Sequence, residues 1–261
     1  MALVLDHVSK SFASLDGKGT TAALADVDVT IEDGSFLSIV GPSGCGKSTL
    51  LRIIAGLARP TTGTASLNGK PIEGTDPRRG VAFQKPTLFP WLTVEQNVAF
   101  GPRMRDRLKG REDEVDRLLR MAGLEEFKDS YPNQLSGGMV QRVSLIRTMI
   151  NEPEVFLLDE PLGALDAFTR MNMQDEILSI WRERSSTMVM VTHDVDEAIY
   201  MGQSILVMAP RPGRVVERVN VDMPYPRDRT SSRFFELRSR VLKRLDFAGG
   251  ASDAFGGQVA V

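Results

Sequence analysis

Gly41-Pro42-Ser43-Gly44-Cys45-Gly46-Lys47-Ser48-Thr49 is the stretch that decides the fold of this 261-residue chain. The apolar run before it, Phe36-Leu37-Ser38-Ile39-Val40, reads as a buried strand. Leu50-Leu51-Arg52-Ile53-Ile54-Ala55 after it reads as the first turns of a helix. A strand, a glycine-rich turn and a helix together make a phosphate-binding loop. Glycines 41, 44 and 46 let the backbone curl with its N–H groups inward, and the helix start adds its own donors and the positive end of its dipole. Lys47 is placed to reach the outer phosphates of a nucleotide, and the Ser48 hydroxyl to ligate Mg²⁺. The competing reading, a glycine-rich turn with a surface lysine, does not explain the strand and helix that flank it. All nine residues from Gly41 to Thr49 are therefore the expected nucleotide cradle.

Composition narrows the class. An apolar fraction of 42% and a charged fraction of 25% are ordinary for a soluble globular protein. Lys and Arg number 32 against 34 Asp and Glu, so a net charge of −2 gives no case for a nucleic-acid-coating surface. The single cysteine, Cys45, lies inside the phosphate loop, which excludes an intramolecular disulfide and fits a reducing compartment. No run of about 18 apolar residues predicts a membrane span. The first residues, Met1-Ala2-Leu3-Val4-Leu5-Asp6-His7, show no signal-peptide pattern.

Taken in order, residues 3–12 and 23–31 alternate like strands, with a polar, glycine-containing loop from Ala13 to Thr21 between them. Ala65-Ser66-Leu67-Asn68-Gly69 reads as one arm of a hairpin, and Gly80-Val81-Ala82-Phe83-Gln84 as a short strand ending in glutamine. From Val94 to about Arg120 the pattern turns helical. Its dense mixed charge (Arg103, Arg105, Asp106, Arg107, Lys109, Arg111, Glu112, Asp113, Glu114) reads as a solvated face. Leu118, Leu119, Ala122 and Leu124 form an apolar stripe. Strands return at 155–158, 188–191 and 205–208, with a helix over about 167–183 between the first two, which points to a parallel sheet with right-handed crossovers. A short strand over 214–219 and a closing helix over 231–245 follow. The expected organisation is an α/β core over 1–84 and 151–221, a helical subdomain over 85–150, a helical extension over 222–247 and a disordered tail over 248–261. No internal repeat is present, so one nucleotide-binding unit is expected.

Chemistry concentrates at strand ends, where ligands bind in α/β sheets. Asp159 and Glu160 close the apolar strand 155–158: Asp159 suits Mg²⁺, and Glu160 can orient or deprotonate the water attacking a γ-phosphate. His193, one of two histidines, ends the next strand and is expected at the γ-phosphate; His7 lacks such a context and reads as structural. Ser136-Gly137-Gly138 before a helix has the form of a second anion site, and a plain helix cap would look the same.

The order of these motifs resembles the ATP-binding subunit of ATP-binding cassette (ABC) transporters, to about residue 245. Gly41–Thr49 is similar to that family's phosphate loop, Gln84 to its Q-loop, and Leu135–Gly138 to its signature. Leu157–Glu160 resembles its acidic strand end, Ala164-Leu165-Asp166 its D-loop, and His193 its switch histidine. The resemblance implies a P-loop, RecA-like core with a mainly parallel sheet, an N-terminal antiparallel β subdomain and an inserted helical subdomain. It implies ATP and Mg²⁺ as cofactors, with Ser48, Gln84 and Asp159 toward the metal and Glu160 and His193 in catalysis. Two subunits, most simply identical, would sandwich two ATPs head to tail. Ser136-Gly137-Gly138 and Asp166 of one copy would then complete the site held by Lys47 of the other. Phe12 stands where the family places an adenine-stacking aromatic, against the competing reading of a core phenylalanine. Met139 stands where many members carry glutamine.

Leu88–Val98 and Met208–Arg214 resemble the nitrate, sulfonate and taurine importer branch. That implies a peripheral protein at the cytoplasmic face of the membrane, with an integral membrane permease as partner, docked near Pro90 and Trp91. A periplasmic or surface solute-binding protein would take part indirectly, and no nucleic acid is expected. A soluble ABC ATPase acting on DNA or ribosomes is the alternative, though it would usually carry a long coiled-coil insert or two cassettes. A phosphate-loop kinase or GTPase would leave Leu135–Gly138 and Asp166 without a task.

Overall fold

The computed structural model describes residues 2–13, 19–105 and 110–249. In chain order the elements are β1 (Ala2–Ala13), β2 (Thr20–Glu32), β3 (Phe36–Val40), α1 (Lys47–Ala55), β4 (Thr62–Leu67), β5 (Lys70–Pro71) and β6 (Arg79–Ala82). Next come α2 (Val94–Met104), α3 (Glu112–Met121), α4 (Gly137–Met149), β7 (Val155–Asp159), α5 (Ala167–Arg184) and β8 (Thr187–Thr192). The chain closes with α6 (Val195–Met201), β9 (Ser204–Ala209), β10 (Arg214–Asn220) and α7 (Ser232–Gly249). Part of the loop expected between Ala13 and Thr21, the charged residues Asp106, Arg107 and Lys109, and the tail beyond Gly249 lie outside the described residues.

Two compact units form. The first gathers the described residues of Met1–Glu32, Phe36–Gly74 and Val191–Val261, the second Asp33–Ser35 and Thr75–Met190. In the first unit an antiparallel sheet runs in the order β2-β1-β4-β5. Along β2, buried Val27, Val29 and Ile31 alternate with exposed residues, as expected of a sheet with one wet face. The same unit holds β10-β9-β3. There β3 and β9 are parallel, Leu37 opposite Ser204 through Val40 opposite Val207, and β10 pairs antiparallel with β9. Every residue of β3 and β9 is buried, the mark of strands covered on both faces.

In the second unit the strand order is β8-β7-β6, with β6 and β7 parallel from Arg79 opposite Val155 to Ala82 opposite Leu158. The strand read as ending at Gln84 stops at Ala82, which leaves Gln84 on the loop beyond it. Leu118, Leu119, Ala122 and Leu124 are buried as the stripe predicted.

Of the charged run beside that stripe, Arg103, Arg105, Glu112 and Asp113 are exposed, as a solvated face should be, while Arg111 and Glu114 are half-buried in ion pairs. Glu114 pairs with Arg117 at 2.7 Å and with Arg184 of α5, while Arg111 pairs with Glu152 at 2.9 Å. The hydrogen bond from Arg117 and the charge of Arg184 hold the Glu114 carboxyl below its ordinary range. The physical reason is tertiary: the partners Glu152 and Arg184 come from distant sequence.

Candidate nucleotide-binding and hydrolysis site

In the first unit the phosphate loop leaves β3 at Val40 and enters α1 at Lys47. Gly46 caps that helix at φ 90°, with no side-chain cap bond. A Cβ there would stand 2.5 Å from the Leu24 Cδ2 atom and 2.8 Å from the Ala23 carbonyl, so the loop backbone lies against β2. Gly41 is needed for space alone, since a Cβ on it would meet Cys45 Sγ at 2.5 Å and the Met208 carbonyl at 2.8 Å. Lys47 is buried, and its ammonium donates to the carbonyls of Gly41 and Pro42 at 2.7 and 3.0 Å. That aims a cation along the loop, as phosphate binding requires. Burial raises the Cys45 thiol above its ordinary value, against the opposing charge of Lys47, so the thiol stays protonated and serves as packing. Ser43 is exposed, while Pro42, Ser48 and Thr49 are half-buried.

Behind the loop stands a residue that sequence reading did not assign a task. The Gly213 N–H donates to the Ala23 carbonyl at 3.1 Å, and a Cβ on Gly213 would collide with the Cys45 carbonyl. Its signal was present as the glycine within Met208–Arg214, but only the close backbone approach shows why it must be glycine. Phe12, on β1, is 46% exposed with the Lys10 ammonium 5.1 Å from its ring centre, so it is not a core phenylalanine. His193 is exposed at the end of β8. His7 is likewise exposed and bonds Asp26 at 2.7 Å, which raises its pKa.

The second unit carries the acids. Asp159 ends β7 and is buried; Glu160 follows in a left-handed conformation, φ 48°, which turns the chain sharply out of the strand. Gln84 Nε2 donates to Glu160 Oε2 at 2.8 Å, so two residues 76 positions apart meet. Ser136 is the N-cap of α4, its hydroxyl accepting from the Met139 N–H at 3.3 Å. Gly137 and Gly138 lie inside the first turn of that helix. A Cβ on Gly138 would touch Leu165 at 3.2 Å, so the signature and the D-loop are neighbours. Asp166 caps α5 by accepting from the Thr169 N–H at 3.0 Å, and hydrogen bonding from the Thr169 side chain, then from its N–H, lowers the Asp166 pKa. Both the cap and the anion-site forms anticipated for Ser136 are thus compatible with one geometry. Asn97, not singled out from sequence, is fully buried and holds the loop carrying Trp91. It accepts from the Phe89 N–H at 2.9 Å and donates to the carbonyls of Phe89, Leu92 and Thr93 at 3.0–3.1 Å.

The donors expected for a metal are a hydroxyl (Ser48), an amide oxygen (Gln84) and a buried carboxylate (Asp159). An all-oxygen set of this kind suits Mg²⁺.

A phosphate loop with a strand-end Asp-Glu pair, a glutamine on the glutamate and a capped Ser-Gly-Gly helix defines a nucleotide-hydrolysing P-loop cassette. The family model described as ABC transporter matches residues 24–163. The aliphatic sulfonates import ATP-binding protein SsuB of Bacillus licheniformis is 47% identical over 233 residues, 88% of this chain and 90% of its own length. The taurine import ATP-binding protein TauB of a Jannaschia species is 44% identical, over 92% of each chain. Among solved structures, the dimeric post-hydrolysis state of the cassette MJ0796 bound to ADP and Pi superposes with a TM-score of 0.76 at 33% identity. That match covers 84% of this chain and 98% of the other. The chain belongs to the ABC transporter family, and it is an ATP-binding, ATP-hydrolysing cassette with that family's fold.

Proposed function

We propose that this chain is the motor subunit of an importer for a sulfonate, taurine, nitrate or similar small solute, working as a pair at the cytoplasmic face of a membrane. Sulfonates and taurine are the solutes in the names of its relatives SsuB and TauB, and nitrate is included on the resemblance of Leu88–Val98 and Met208–Arg214 to that importer branch. Among the described residues no helix is long and apolar enough to cross a membrane, in keeping with peripheral attachment to a permease.

The observation that carries the hydrolytic mechanism is the Gln84–Glu160 bond. It holds a carboxylate in one orientation beside Asp159, as a group that orients water must be held. Lys47 and the N–H groups of Gly41–Thr49 bind the phosphates, with Phe12 on the adenine. Ser48, Gln84 and Asp159 are the residues that would hold Mg²⁺, which would supply positive charge to the phosphates. Glu160 orients the attacking water and accepts its proton, and His193 steadies the γ-phosphate. Ser136, Gly137, Gly138 and Asp166 of a second copy close each site. Phe168, two residues after Asp166 and 83% exposed, is apolar surface suited to burial against that copy.

The permease would dock where Trp91, 69% exposed, stands 5.5 Å from the ring of Phe89, which lines a cavity of about 260 Å³ together with Arg79, Phe100, Arg105 and Arg147. Aromatic and arginine side chains are what such interfaces favour.

Glu160→Gln tests the reading. The variant should bind ATP as the parent does, lose at least about 10²-fold in turnover, and accumulate as an ATP-bound dimer in light-scattering chromatography. Turnover near the parent rate would remove Glu160 from this role.

A further inference from the structure

Helix α6 begins two residues after His193, with only its N-cap Asp194 between, and is seven residues long. Two turns of helix are marginal on their own, so what holds their ends decides where they sit. The N-terminus is closed locally: Asp194 accepts from the N–H groups of Asp196 and Glu197 at 2.9 and 3.1 Å, and donates its own N–H to the Thr192 hydroxyl at 3.0 Å.

The C-terminus is closed from elsewhere in the chain. The Tyr225 hydroxyl donates to the Met201 carbonyl at 2.6 Å. The Arg227 guanidinium donates to the carbonyls of Ile199, Tyr200 (3.2 Å) and Gly202 (2.6 Å). It also reaches the Val221 and Met223 carbonyls at 3.3 and 3.4 Å. The carbonyls that a helix leaves over in its last turn, 199 to 201, therefore all accept from Tyr225 and Arg227.

Arg227 is 4% exposed and stacks over the Tyr225 ring at 4.1 Å. A permanently charged fork in that position faces the negative end of the α6 dipole. A helix of seven residues is a rod about 10 Å long, so displacement of one end is transmitted to the other.

We propose that Arg227 and Tyr225 are positioning residues for ATP hydrolysis: they clamp the C-terminus of α6 and so fix where His193 stands. The proposal rests on His193 acting at the γ-phosphate. The competing explanation is a clamp that only holds the fold together, and the two differ in how substitutions combine.

The experiment measures single-turnover ATP hydrolysis by the full chain for Arg227→Lys and Tyr225→Phe, alone and combined with His193→Ala. A lysine is a point donor and cannot bridge several carbonyls. Arg227→Lys should hydrolyse ATP about tenfold more slowly, with affinity for ATP within about twofold of the parent. Tyr225→Phe, which removes one hydroxyl and keeps the ring, should lose about threefold and guards against Arg227→Lys failing to fold. In the His193→Ala background neither change should slow the reaction further, because the group they position is gone.

Losses that multiply in that background would make the clamp structural and overturn the proposal. So would parental rates in both single variants. Undiminished hydrolysis by His193→Ala alone would overturn the reading of His193 itself, a result separable from failure of the clamp.

Discussion

One methyl group on Gly46 measures how closely the phosphate loop is held. The residue sits at φ 90°, and a Cβ would enter the space of Leu24 and the Ala23 carbonyl. Backbone strain and the clash act together, so Gly46→Ala should destabilise the chain by about 1–3 kcal/mol and abolish binding of an ATP analogue. Urea denaturation and nucleotide titration check both halves; unchanged nucleotide affinity would mean that the loop tolerates a different path. Asp76 offers a residue-level prediction about pH. Hydrogen bonds from Arg78 lower its carboxyl from 3.8 to about 2. A depressed folded value stabilises the fold above the unfolded value near 3.8, and that stabilisation fades as pH falls through about 2. The pair is partly exposed, so Asp76→Asn should cost only about 0.5 kcal/mol at pH 7. The gap between the urea midpoints of parent and variant should narrow from pH 5 toward pH 3, and a constant gap would refute the assignment.

At the scale of elements, local rules and tertiary partners separate. The strand, loop and helix around Gly41–Thr49 were legible because their demands are local: a buried apolar strand, glycines where no Cβ fits, a helix start aimed at phosphate. Asp159 and Glu160 were legible for the same reason, as acids at a strand end. Helix α6 was missed because it is two turns long and its sequence, Val195–Met201, is mostly buried, which leaves no period to read. Arg227 carries no signal of its own within the stretch 222–247 expected as a helical extension; only the fold brings it to carbonyls 25 to 28 positions away. Asn97 was silent in the same way. With its amide oxygen accepting one bond and its two amide hydrogens shared among three carbonyls inside the second unit, Asn97→Ala should cost about 2–3 kcal/mol in urea denaturation, whereas a surface asparagine would cost a few tenths. The two tasks of Ser136 can be separated within one element. Ser136→Asp keeps an N-cap acceptor and adds charge at a helix start, so stability should hold or rise slightly. The same charge would face the γ-phosphate bound by the other copy, so hydrolysis and the ATP-dependent dimer should be lost. If hydrolysis survives, the helix start is a cap and nothing more.

At the scale of the molecule, the question is how hydrolysis reaches a permease. An ATPase site needs no large exposed aromatic, yet Asn97 uses both its amide oxygen and its amide nitrogen to hold the loop on which Trp91 stands 69% exposed. Phe89 lies 5.5 Å from the Trp91 ring, and the Arg147 guanidinium stands 5.0 Å over Phe89, so the exposed indole rests on a built platform. A rigid aromatic presented in this way is the form of an interface anchor, and removing an anchor costs binding far more than it costs the fold. Trp91→Asp should therefore leave the urea midpoint and the ATPase rate of the isolated chain within about twofold of the parent. In membranes solubilised in mild detergent, the tagged variant should retain a tenth or less of the multi-span protein that co-purifies with the parent, an order-of-magnitude loss matching about 1.4 kcal/mol or more. Solute uptake should fall with it. Equal recovery of the membrane partner would move the docking surface away from Trp91, whereas recovery of the parent with ribosomal proteins or nucleic acid instead would overturn transport and leave the ATPase site standing.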